Sequence, residues 1–196
     1  MAIDYGGVSG PDWYGGAARR IGLATATWPA PPILVLHSGA GGLAGAIAAQ
    51  TPLAGVIFVD AILPHPGASW MATAPAALGE HLRGIAREGL LPPWNRWFGA
   101  DPAARMIPDG AARARFVADL PRVPLAFLDT PAPLHGPLAA PCAYLRLSDA
   151  YVAEADAAAG LGWTVRREAM HHLAMLTDPA KLAAILLDVG MSLETA

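Results

Sequence analysis

The chain has 196 residues, enough for one domain with a substantial core and too few for two of ordinary size. Apolar residues make up 54% and charged residues 15%, which excludes disorder along the whole length. A formal net charge of −3, with no run of Lys or Arg, speaks against a nucleic-acid partner, because phosphate recognition needs clustered cations.

The single cysteine, Cys142, excludes an internal disulfide and a Cys-cluster metal site; its simplest reading is a small core residue in the reducing cytoplasm. Residues 1–7 show neither a basic nor an apolar leader region. Nothing elsewhere approaches the roughly 18 uninterrupted apolar residues of a membrane span. The expectation is a cytoplasmic protein with no membrane partner.

In chain order, residues 11–26 form a weakly helical patch that Asp12 can cap, followed by the Pro29-Ala30-Pro31-Pro32 break. Residues 33–36 are wholly apolar and read as a strand buried on both faces of a parallel sheet. They run into His37-Ser38-Gly39-Ala40-Gly41-Gly42 and then a helical pattern over 41–50. A strand, a sharp turn and a helix in that order lift Ser38 out of the sheet and place its backbone N–H at the positive end of the helix. Residues 54–61 form a second buried strand, and the intervening helix provides the crossover that a parallel pair requires.

Residues 64–140 carry helical patches at 75–88 and 109–120, broken by prolines, with no confident strand. Trp70, Trp94, Trp97, Phe98, Phe116 and Phe127 concentrate there, as expected of a helical lid that covers the sheet edge, lines a substrate, or does both. Regular alternation resumes with a strand at 142–147, a helix at 151–159, a strand at 163–167, the pair His171-His172, and a helix over 178–189. Asp178 and Pro179 supply its cap and first turn.

Three features fall just after strands, on the side of a parallel sheet where ligands bind: Ser38, Asp149 and His171-His172. In this order a histidine can take the serine proton while a carboxylate orients the imidazole. Adjacent histidines on an extended loop point apart, and no Glu stands at the spacing of a helical zinc motif, so no metal is expected. The glycines after Ser38, with Asp60 about 20 residues on, make only a faint dinucleotide fingerprint, and no cofactor is expected.

Leu36-His37-Ser38-Gly39-Ala40-Gly41, Val56-Ile57-Phe58-Val59-Asp60-Ala61 and His171-His172-Leu173-Ala174-Met175-Leu176-Thr177-Asp178-Pro179 together resemble the α/β-hydrolase superfamily over most of the chain. The resemblance implies a mostly parallel α/β sheet with flanking helices in one domain spanning 1–196, with a lid at about 64–140. Ser38 matches the nucleophile, with Leu36 and Ala40 in place of the two glycines of Gly-x-Ser-x-Gly. His172 stands at the position of the base, with His171 as the alternative. Asp149 fits the usual place of the acid, and Asp60 is the other option, or a purely structural carboxylate.

The 32 residues ahead of the first strand contain nothing like the usual oxyanion segment. The resemblance therefore implies a truncated front half of the sheet, with the Gly39 N–H as the one oxyanion donor to be expected. The strand at residue 33 becomes an edge, and an apolar edge calls for a second copy, a homodimer, or a partner that completes the sheet. Hydrolysis of a small ester, thioester or related acyl substrate is the leading expectation. A non-hydrolytic isomerase, lyase or cyclase of the same fold, or a degenerate binding protein, is the alternative; the sequence does not name the substrate.

Overall fold

The computed structural model describes residue 10 and residues 12–193, so the leader reading at residues 1–7 and the Pro11 start of the first helical patch lie outside the described residues. Helix α1 is Trp13–Thr25, and Asp12 caps it by accepting from the Gly15 N–H at 3.1 Å. Strand β1, Ile33–Ser38, is followed by a 3-10 turn, Gly39–Leu43, and helix α2, Ala44–Ala48. Strand β2 is Gly55–Ala61.

Helices α3, Trp70–Thr73, and α4, Ala76–Ile85, come next. A two-residue ribbon, β3 at Leu90–Leu91 with β4 at Val123–Pro124, then brackets α5, Pro102–Met106, and α6, Gly110–Asp119. No strand was expected between 64 and 140; this ribbon is too short to leave a period-two pattern, and Pro124 hides it further. Helix α7, Leu125–Asp129, leads to β5, Cys142–Arg146. The chain closes with a 3-10 turn at Asp149–Tyr151, α8 at Val152–Gly160, β6 at Thr164–Arg167, α9 at Ala174–Thr177 and α10 at Pro179–Leu193.

The main sheet has the order β1-β2-β5-β6, parallel throughout. Alternation along the strands sorts its side chains into two cores. Val56, Phe58 and Tyr144 face the layer of α1, α2 and α8, while Ile57, Val59, Ala143 and Leu145 face Leu182, Ile185, Val189 and Leu193 of α10. Their spacing of three or four residues keeps these α10 side chains on one stripe. Strand β2 is buried along its whole length, because strands flank it and helices cover both of its faces.

Strand β1 is the edge on one side: no strand precedes it among the described residues, and Val35 is 47% exposed, so the expected burial of 33–36 on both faces is not met; only Leu34 and Leu36 are buried, on the α1 and α2 side. Leu36, which stands where the family elbow carries glycine, is instead turned into the α1 and α2 core. The turn closes elsewhere. A Cβ on Gly41 would lie 1.9 Å from the Ile62 carbonyl oxygen, so the turn packs against the end of β2 only because residue 41 has no side chain.

Candidate active site

Ser38 has φ 57° and ψ −129°, a conformation that costs a non-glycine residue of the order of 1–3 kcal/mol and persists only where the surroundings enforce it. The enforcement is visible in the register: His37 pairs with Val59 but Ser38 pairs with Ala61, so β2 carries one extra residue, Asp60, itself at φ 40°. The Tyr144 hydroxyl donates to the Ala61 carbonyl at 2.7 Å and lies 3.1 Å from the Ala61 N–H, satisfying the backbone that the bulge displaces. Two strained residues on adjacent strands are thereby turned toward the same point.

Ser38 Oγ lies 3.1 Å from His172 Nε2, and His172 Nδ1 lies 3.3 Å from Asp60 Oδ2. With the proton on Nδ1 donated to the carboxylate, Nε2 is free to accept from the serine hydroxyl. Asp60 Oδ1 accepts from the backbone N–H groups of Leu147 and Ser148 at 2.6 and 3.1 Å, and Oδ2 accepts from Ser148 Oγ at 2.6 Å. Burial alone would push the Asp60 carboxyl up. The bonds from His172, Ser148 and the two backbone groups outweigh it and hold the carboxyl below its ordinary value, so Asp60 is an anion at neutral pH.

His172 is 9% exposed, with ring neighbours on several sides: His37 at 4.4 Å, Tyr151 at 5.1 Å and Trp94 at 6.0 Å between centroids. His37 Nε2 donates to the His172 carbonyl at 2.9 Å. Burial, reinforced by the neighbouring His172, lowers the His37 pKa to about 4, so His37 holds the His172 backbone without adding a competing charge.

The expectation that Asp149 orients the histidine is not met. Its side chain is 98% exposed and bonds Arg146 at 2.7 Å, because residue 149 opens the turn on its solvent side while the loop presents the N–H groups of Leu147 and Ser148 inward. The carboxylate beside His172 is Asp60, the alternative read from the end of the second strand. His171 is also accounted for locally: its ring accepts from the Leu173 N–H at 3.2 Å and lies 2.8 Å from Thr177 Oγ1, fastening α9.

A cavity of about 540 Å³ opens onto Ser38 and Gly39. Trp70, Trp94 and Trp97 stand on its wall, joined by Phe98, Phe127 and, from α1, Trp13 and Tyr14; among the described residues no Asp, Glu, Lys or Arg lines it. Tyr14 OH lies 3.3 Å from Nε2 of His65, which also lines this cavity. A second cavity of about 320 Å³ lies on the His172 side, between Trp94, Phe116, Leu120, Met175 and Leu176. Sequence reasoning missed Tyr14, Tyr144, Tyr151 and His37. The aromatic start of α1 and the placement of Tyr151 in the turn that follows a sheet strand were the available signals.

Among the described residues no three His, Cys, Asp or Glu side chains group as metal ligands, and no helix is long and apolar enough to cross a membrane.

This architecture is the α/β-hydrolase fold. No family model matches the sequence, and no curated protein does. Solved structures match well. An extracellular α/β-hydrolase from a Paenibacillus species, described as sharing structural and functional homology with tobacco salicylic acid binding protein 2, has a TM-score of 0.72 at 18% identity, over 90% of this chain and 79% of that one. A pyrethroid hydrolase from Sphingobium faniae gives 0.60 at 20% identity, over 95% and 81%. A methylesterase from Arabidopsis gives 0.63 at 15% identity, over 96% and 84%. These likenesses establish the fold.

Proposed function

We propose that the protein is a serine hydrolase of neutral, apolar carboxylic esters, with Ser38 as nucleophile, His172 as general base and Asp60 as the carboxylate that orients it. The observation that carries this reading is the continuous hydrogen-bonded line from Ser38 Oγ through both ring nitrogens of His172 to Asp60, at 3.1 and 3.3 Å. Ser38 Oγ attacks the ester carbonyl as its proton passes to His172 Nε2. The tetrahedral intermediate collapses with transfer of that proton to the leaving alcohol, and a water activated by the same imidazole then frees the acyl group. The Gly39 N–H supports the developing oxyanion from the start of the turn.

Substrate class follows from the walls. The segment at 64–140 acts as a lid whose tryptophans close the larger cavity, and the described residues of its wall offer aromatic surface and no Asp, Glu, Lys or Arg to balance an ionic substrate. The smaller cavity, where Phe116, Leu120, Met175 and Leu176 stand beside the imidazoles of His37 and His172, takes the second arm of the ester. The pyrethroid hydrolase and methylesterase likenesses agree with an ester substrate. On p-nitrophenyl esters, kcat/KM for a neutral aromatic or branched acyl group should exceed that for an otherwise similar acyl group ending in a carboxylate by about a hundredfold. Equal rates on the two would contradict the reading.

The exposed β1 edge is, on this account, where a second copy adds its own β1. Light scattering on eluted protein should give the mass of two chains at micromolar concentration; the mass of one chain contradicts it.

A further inference from the structure

The larger cavity holds a hydroxyl that neither the nucleophile nor its base requires. Tyr151 ends the 3-10 turn after β5, its ring stacks on His172 within 10° of parallel, and its hydroxyl lies 3.4 Å from Ser38 Oγ. Burial raises the phenol's pKa, so it remains a neutral donor at working pH.

An acyl group on Ser38 needs donors aimed at the carbonyl oxygen before charge develops there. The Gly39 N–H is one. Among the described residues the main sheet has no strand ahead of β1 whose following loop could bring a second backbone N–H, and α1 stands there instead. Tyr14 of α1 meets His65 rather than Ser38. Ser38 borders both cavities: Tyr151 and Gly39 line the larger with it, and His172 lines the smaller. The phenol and Gly39 therefore both border the cavity through which an apolar acyl group would reach Ser38.

We propose that Tyr151 is the second oxyanion donor, a catalytic residue that gives its O–H hydrogen bond to the carbonyl oxygen of the acyl group at Ser38. The proposal rests on the Ser38 hydrolase reading. In the resting protein the phenol contacts Ser38 Oγ. As Oγ bonds to the carbonyl carbon, its proton goes to His172, the carbonyl π pair moves to oxygen, and the Tyr151 hydrogen bond follows that charge without transfer of the proton. The proton on His172 leaves with the alcohol, and Tyr151 is unchanged at the end of the cycle.

The test compares wild type, Tyr151→Phe and Ser38→Ala on an apolar p-nitrophenyl ester and on an aryl boronic acid, whose adduct with serine carries the tetrahedral negative charge. Tyr151→Phe should lower kcat/KM by about a hundredfold with KM little changed, and weaken the boronic acid by a similar factor. Protein containing 3-fluorotyrosine, whose phenol is more acidic, keeps the fold; its high-pH loss of activity should begin at lower pH than in wild type. Tyr151→Phe within threefold of wild type on both probes, or an unshifted alkaline limb, overturns the proposal. Turnover that survives Ser38→Ala overturns the hydrolase reading and this inference with it, so the two failures are distinct.

Discussion

Asp60→Asn should lower kcat/KM on an apolar ester by about 10⁴-fold, while Asp149→Asn stays within about twofold of wild type. The amide fits the space of the carboxylate, but its surroundings are donors: the N–H groups of Leu147 and Ser148, Ser148 Oγ and His172 Nδ1 all point at the two oxygens. The single amide oxygen is claimed by the backbone donors. The NH₂ is then left facing His172 Nδ1, which favours the tautomer with the proton on Nε2, where it can no longer accept from Ser38. The Asp149 carboxylate pairs with Arg146 at the surface, so losing its charge removes no bond to the imidazole. Steady-state kinetics on the two purified variants, with a melting curve for each, decide the matter; loss of activity in the Asp149 variant with retention in the Asp60 variant would reverse the assignment.

Gly41→Ala should destabilise the protein by about 3 kcal/mol and lower Tm by roughly 6–12 °C. The new Cβ would sit 1.9 Å from the Ile62 carbonyl oxygen, a backbone atom with no rotamer to change. Ile62 cannot retreat freely, because its N–H donates to the Ser38 carbonyl at 3.1 Å. Any shift that relieves the clash therefore pulls on Ser38. Gly39→Ala is the control: nothing lies within 4 Å of a Cβ there, so its stability should stay within about 0.5 kcal/mol of wild type. Calorimetric scans of both variants check the pair, and equal melting temperatures would refute the close approach of turn and β2.

Much of this was legible in the chain. The runs at 54–61 and 142–147 read as strands and lie inside the sheet, whereas 33–36 reads as buried on both faces but forms the edge strand with Val35 exposed; the Asp178-Pro179 start of α10 was plain from local chemistry. The strand-Ser38-helix order and the place of His172 brought together two of the three residues that meet at the site. Asp60 was harder. Its role depends on the bulge opposite Ser38 and on donors 87 and 88 residues away, relations between strands that no local pattern encodes. Asp149 followed a strand just as plainly, and only the direction of the turn sends it to solvent. Tyr151 was read as the start of a helix, and its contact with Ser38, 113 residues away, is purely tertiary.

The central claim is that Ser38 is an activated nucleophile, and covalent labelling tests it most directly. A fluorophosphonate probe incubated with the folded protein, followed by peptide mass spectrometry, should give one adduct, on the peptide containing Ser38, absent in Ser38→Ala and strongly slowed in His172→Ala. A folded protein that takes no label, or one whose label persists in Ser38→Ala, would contradict the account.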